Sequence, residues 1–183
     1  VNVGGGALTF DYNKTSYTYG DYEGWDMTVK SIKPRERFAT FVKAEPIAPT
    51  AAMQGASKLG MLKLTIKVEG ETGTAVIPQI KAVNNGFQRI AVLNGGSKAN
   101  FDMNMPEVAF ATKTGEVLLT ATEQWSENGT YYLYLVGDVA ADAVAGSAVG
   151  ITLKEVNGVS ASEEAAASVA EGMKGTYTVG SAD

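Results

Sequence analysis

The 183-residue chain contains no cysteine and no histidine. Without histidine it lacks the commonest general base, the usual zinc ligand and every serine–histidine or cysteine–histidine nucleophile pair. Without cysteine it has no thiolate chemistry, no iron–sulfur ligation and no disulfide. Catalysis would have to rest on carboxylates, lysine, tyrosine or serine alone, so a non-enzymatic protein with no cofactor and no metal is expected. Compartment does not follow from the cysteine count, because a chain with 45% hydrophobic residues can build a core without disulfides in either redox environment. Basic residues are also few, 15 against 20 acidic ones for a net charge of −5, and they are scattered. That balance offers no footprint for nucleic acid or an anionic membrane. No apolar run approaches the roughly eighteen residues of a membrane-spanning helix. The chain opens without the basic region and apolar stretch of a secretion signal, so an exported protein is expected to be in its processed form.

What is present is strand after strand. Residues 61–68 alternate, with Leu62, Leu64, Ile66 and Val68 on one face and Lys63, Thr65 and Lys67 on the other, which predicts a half-buried antiparallel strand. A turn over 69–73 leads into an expected strand over 74–83, where Pro78 implies an edge or a bulge. Asn84-Asn85-Gly86 predicts the next turn, and shorter strands are expected over 86–93, 99–103, 107–111 and 116–122. Asn128-Gly129 carries a hairpin signal between a strand ending near Trp125 and the aromatic strand 130–136. In that strand Tyr132 and Tyr134 alternate with Leu133 and Leu135, so one pair is expected in the core and the other exposed. Val149, Ile151 and Leu153 mark a later strand, and 176–179 a last one. Helical signals are few: Ser160-Ala161-Ser162-Glu163-Glu164 and the alanine-rich run to Gly172 predict one short capped helix. Residues 44–57, with Pro46 and Pro49, read as a long surface connection. There is no internal repeat, and the fold class that follows is all-β, a sandwich or a barrel.

Candidate chemistry is sparse. Tyr19, Tyr22 and Trp25, with Phe10, Tyr12 and Tyr17 nearby, supply a candidate platform for a glycan, and they also suit strands through their β-propensity alone. The carboxylate pairs Glu69 with Glu71 and Glu163 with Glu164 fall at a turn and at the expected helix start, where acidic residues belong anyway. Asp102-Met103-Asn104 lacks the spaced oxygen ligands of a calcium loop. Gly4-Gly5-Gly6 is followed by neither the helix nor the lysine of a phosphate loop.

The first dozen residues carry the clearest functional signal. Leu8, Phe10 and Tyr12 point to one face of an extended strand and Ala7, Thr9 and Asp11 to the other, while Gly4 and Gly6 continue the apolar row as empty positions. Such a segment is either the first strand of its own sheet or an arm that completes a neighbour's sheet by strand addition.

The stretch Val3-Gly4-Gly5-Gly6-Ala7-Leu8-Thr9-Phe10-Asp11-Tyr12 resembles the amino-terminal donor extension of chaperone-usher fimbrial subunits. Gly73-Thr74-Ala75-Val76-Ile77-Pro78-Gln79-Ile80 is similar to a strand in the major (shaft) subunits of enterotoxigenic Escherichia coli fimbriae, and Ala165-Ala166-Ala167-Ser168-Val169-Ala170-Glu171-Gly172 resembles the segment before the last strand of a cysteine-free colonisation-factor subunit. The resemblance implies an incomplete immunoglobulin-like β-sandwich, lacking its last strand and completed by a donor strand from a neighbouring subunit. Residues 1–14 would be the donor extension and 15–183 the pilin domain. Gly4, Gly6, Leu8, Phe10 and Tyr12 would contact the next subunit. The implied partners are identical subunits in a helical homopolymer, a periplasmic chaperone and an outer-membrane usher during assembly, and a host glycan or glycoprotein. The implied route is export through the periplasm to the cell surface, where the fimbria supports adhesion. Two departures stand out: better-known subunits carry a disulfide, and this chain ends Gly180-Ser181-Ala182-Asp183, leaving Tyr177 and Val179 as candidates for the strand a chaperone grips. A self-contained carbohydrate-binding β-sandwich is the alternative, and a phage or surface-layer shell protein a third reading.

Overall fold

The structure, a computed structural model, describes residues 33–47 and 51–172, which apart from Lys33 lie within one compact unit, Pro34–Asp183. Both the proposed donor extension and the strand expected over 176–179 fall outside the described residues. Twelve strands follow one another: β1 (Phe38–Pro46), β2 (Ala52–Met53), β3 (Leu59–Glu69), β4 (Ala75–Val76), β5 (Ile80–Asn85), β6 (Arg89–Gly96), β7 (Glu107–Ala111), β8 (Gly115–Leu119), β9 (Gln124–Trp125), β10 (Gly129–Asp138), β11 (Ala148–Val156) and β12 (Val159–Ala170). They form two five-stranded sheets, ordered β1-β3-β10-β6-β7 and β2-β12-β11-β5-β8, and a small pair, β4-β9. The described part of the chain is therefore all-β, in the layout of a β-sandwich.

The alternating rows explain why the sheets face each other. Leu62, Leu64, Ile66 and Val68 of β3 and Leu133 and Leu135 of β10 meet Ile80 and Ala82 of β5 and Ile151 and Leu153 of β11 in one core cluster. Pro78 is buried between β4 and β5 and divides the expected 74–83 strand in two. That fits a residue which removes one ladder donor. The turn after β5 is held by Asn84, fully buried: its Nδ2 donates to the Phe87 and Lys113 carbonyls at 2.9 and 3.1 Å, and its Oδ1 accepts the Phe87 N–H at 3.0 Å.

The outer face of the first sheet is covered too, which corrects the expectation for the tyrosines. Tyr134 is as buried as Leu133 and Leu135, in a second cluster with Ala91, Leu93, Met105 and Val136, while Tyr132 packs partly buried at its rim. The cover is the segment after β6. Its residues 99–103, expected as a strand, form an irregular loop. Phe101 tilts against Tyr134 with ring centroids 5.5 Å apart, and the Tyr134 hydroxyl donates to the Lys98 carbonyl at 2.7 Å. Gly95 makes room beneath: a Cβ there would stand 2.6 Å from Tyr134 Cε2.

Three further expectations change. The alanine-rich segment is not a helix but β12, antiparallel to β11. Asn157 and Gly158 have φ of 52° and 85°, the positive pair a tight primed turn needs, and the hairpin they close supplies β12 with a ladder that overrides alanine's helical preference. The Asn128-Gly129 signal closes no hairpin between paired strands, because β9 pairs β4 while β10 lies between β3 and β6. Asn128 is instead a clamp: its Oδ1 accepts from Arg37 Nε at 3.0 Å and its Nδ2 donates to the Gly70 carbonyl at 2.8 Å. Finally, the expected 44–57 connection is partly strand, since β1 runs to Pro46 and β2 lies inside it.

Candidate functional site

The surface features of a β-sandwich most open to another chain are its sheet edges. Three of the edges among the described residues carry protective devices. β1 has a bulge between Phe41 and Lys43 and a Lys43–Glu45 ion pair at 3.7 Å. β8 is only five residues long. β7 carries Glu107, which takes a two-pronged hydrogen bond from Arg89 Nη1, at 2.8 Å, and Nη2. The Arg89 guanidinium also lies 4.3 Å from the centre of the exposed Phe110 ring. The hydrogen bond from Arg89 holds the Glu107 carboxyl below its ordinary pKa of 4.5, outweighing the opposing effect of burial. A group held low contributes stability above its unfolded pKa and loses it as pH falls through the folded value. Glu107→Gln should therefore lower the melting temperature at pH 7 and have no effect in acid below the carboxylate range, as thermal melts across that window would read.

β12 is longer than these edges, and its pairing with β11 shifts register between Ser160 and Glu163. It is twelve residues long and pairs with β2 only at Val169 and Ala170, so its outer edge over 159–168 has no hydrogen-bonded neighbour among the described residues. It contains no lysine and no proline, the residues that usually blunt an edge. Its inner row is Val159, Ala161, Glu163, Ala165, Ala167 and Val169. Their partners on β11, Val156, Leu153, Ile151 and Val149, are buried. The β12 row is only partly so: Ala165 and Val169 are buried, Ala161, Glu163 and Ala167 half-buried, and Val159 is 55% exposed. The alanines among them, Ala161, Ala165 and Ala167, cover the core on this flank with methyl groups only. β1 packs across from β12, and its Ala39, Phe41 and Ala44 lie half-buried against the same core.

The place beside β11 is filled by the chain's own β12. A sandwich lacking its last strand would leave that place empty. Among the described residues, the edge without a hydrogen-bonded neighbour lies one strand further out, on β12.

Gly4, Gly6, Leu8, Phe10 and Tyr12, the aromatic group Tyr19, Tyr22 and Trp25, and Tyr177 and Val179 lie outside the described residues. Other candidates resolve into structural roles. Glu69 pairs with Lys67 at 3.0 Å, the Glu71 carboxylate accepts the Arg35 N–H at 3.1 Å, and Glu163 and Glu164 sit on opposite faces of β12. Tyr131 stacks on Trp125 with centroids 4.6 Å apart. Among the described residues no three metal-ligating side chains converge on a site for an ion. The β12 edge itself escaped the sequence reading. Its signals were Asn157-Gly158 and the alternation of Ala161, Glu163, Ala165, Ala167 and Val169 with more polar neighbours. No protein-family model matches the chain, and no curated protein matches it.

Proposed function

We propose that this chain is a structural, non-enzymatic subunit of a bacterial surface fimbria, a shaft component that polymerises when one copy's amino-terminal segment adds as a strand to the next copy. The observation that carries this reading is the edge of β12, which over 159–168 has no hydrogen-bonded neighbour among the described residues, with its partly buried inner row. The first segment has the complementary sequence pattern, with the bulky Leu8, Phe10 and Tyr12 at alternate positions. Backbone hydrogen bonds to the edge supply affinity and the alternate side chains fill the space above the alanines. Burying Leu8 and Phe10 would contribute about 1.5–3 kcal/mol each. The strand order supports an immunoglobulin-like sandwich, since β1-β3-β10-β6 against β12-β11-β5 matches the two sheets of that fold. On this reading the subunit crosses the periplasm with a chaperone, is assembled at an outer-membrane usher and supports adhesion to host cells. Removing residues 1–12 should abolish long fibres in negative-stain images while leaving a folded β-protein; fibres of normal length would refute the proposal.

One observation favours a second reading. Because β12 fills the place beside β11, the sandwich is closed at that point without help from another chain. A self-contained carbohydrate-binding module would behave accordingly: a monodisperse monomer that binds glycan and loses binding with Trp25→Ala or Tyr22→Ala.

A further inference from the structure

Resting on that strand-addition reading, we propose that Glu163 sets the register of the incoming strand by accepting a hydrogen bond from the Tyr12 hydroxyl of the neighbouring copy. Glu163 is the one charged residue in the inner row of β12, opposite the fully buried Leu153 and between Ala161 and Ala165. Its carboxylate has no hydrogen bond or ion pair among the described residues. A strand laid over this row removes water from the carboxylate, which is costly unless the strand brings a donor.

The free inner positions run from Val159 to Ala167, because β2 takes over at Val169. With the strand antiparallel to β12, Leu8 falls on Ala167, Phe10 on Ala165 and Tyr12 on Glu163. The pairing ends at Ala167, since β2 already occupies the place beside Val169, so Gly6 lies beyond the paired stretch. Lys14 follows opposite Ala161, on the diagonal from Glu163, close enough to add a favourable charge. A slide by one pair in one direction would press the Phe10 ring onto the carboxylate. In the other direction it would drive Leu8 against β2. The parallel orientation with Tyr12 on Glu163 would put Lys14 on Ala165, which is 5% exposed and has no partner for an ammonium group. Only the first arrangement matches apolar to small and polar to charged.

The absence of native cysteine gives a clean test in the full-length chain. Directly opposed Cβ atoms stand about 4.5–5.5 Å apart and a slide by one pair opens this to roughly 7–8 Å, beyond the usual disulfide span of about 3.5–4.5 Å. Phe10→Cys with Ala165→Cys, and Leu8→Cys with Ala167→Cys, should give ladders of covalent oligomers under mild oxidation. Phe10→Cys with Ala167→Cys or with Ala161→Cys should give about tenfold less. Tyr12→Phe should slow polymerisation several-fold, and Glu163→Val should let Leu8→Cys cross-link with Ala165→Cys, the slide that places Phe10 on residue 163. Ladders from the mismatched pairs in the otherwise unaltered chain would overturn the register. So would a cross-link confined to single chains, or Tyr12→Phe polymerising at the normal rate. Fibres that persist without residues 1–12 would instead remove the strand-addition reading beneath it, so the two failures are distinguishable.

Discussion

Tyr134→Ala is expected to destabilise the fold by about 3–5 kcal/mol, the cost of emptying a large aromatic site in a packed interior. Tyr134 is fully buried on the outer face of the first sheet, where Leu93, Met105, Val136 and Phe101 close around it. Truncation removes the ring, opens a void beside Gly95 and releases the loop whose Lys98 carbonyl the hydroxyl holds. Tyr134→Phe keeps the ring and loses only that hydrogen bond, so about 1 kcal/mol is expected. Denaturant titration of both variants separates the two contributions. Loss of similar size in both would mean that the hydrogen bond, not the packing, holds the loop. Burial, followed by the nearby Tyr132, pushes the Tyr134 pKa from 10.0 to about 12. An acid held neutral in the folded state favours folding while the unfolded chain is also neutral. Stability should therefore begin to fall near pH 10 and decline until the folded group ionises near 12, and Tyr134→Phe should remove that contribution.

Ala167→Phe should abolish polymerisation without unfolding the subunit. Ala167 sits half-buried in the inner row of β12, next to the core yet open on the edge side. A phenyl ring there can lie over its own edge and fill the space proposed for Leu8 of the neighbour. The folded monomer should keep its melting temperature or gain a few degrees, since new apolar surface is covered. Fibres should be absent. The same substitution at the buried Ala165 would overpack the core and confuse assembly with folding. Fibres of ordinary length from Ala167→Phe, with a native-like melt, would place the docking edge elsewhere.

How much of this was legible depends on whether one face or two were covered. The row Leu62, Leu64, Ile66 and Val68 reads directly as a strand because its alternation reflects a single core. Tyr134 does not, because the loop that buries it contributes Phe101 and Met105 from a segment without periodicity. Local composition also misleads at β12. Serine, glutamate and alanine there satisfy every helix signal, and the strand comes from Asn157-Gly158 together with a partner, β11, that the local pattern does not display. The same turn logic failed in reverse at Asn128-Gly129, where the asparagine side chain is taken up by Arg37 and Gly70. The alternation of Leu8, Phe10 and Tyr12 predicts a strand with one apolar face, and that segment lies outside the described residues. The edge that would receive it was not legible, since an unpaired edge is a property of sheet order rather than of any residue.

The most direct measurement mixes two variants that each lack one half of the contact. Chains without residues 1–12 keep the β12 edge and have no strand to give. Ala167→Phe chains keep the strand and have a blocked edge. Each alone should remain monomeric in light scattering, and the mixture should yield a one-to-one dimer that grows no further. Fibres from either variant alone, or a mixture that stays monomeric, would contradict strand addition at this edge.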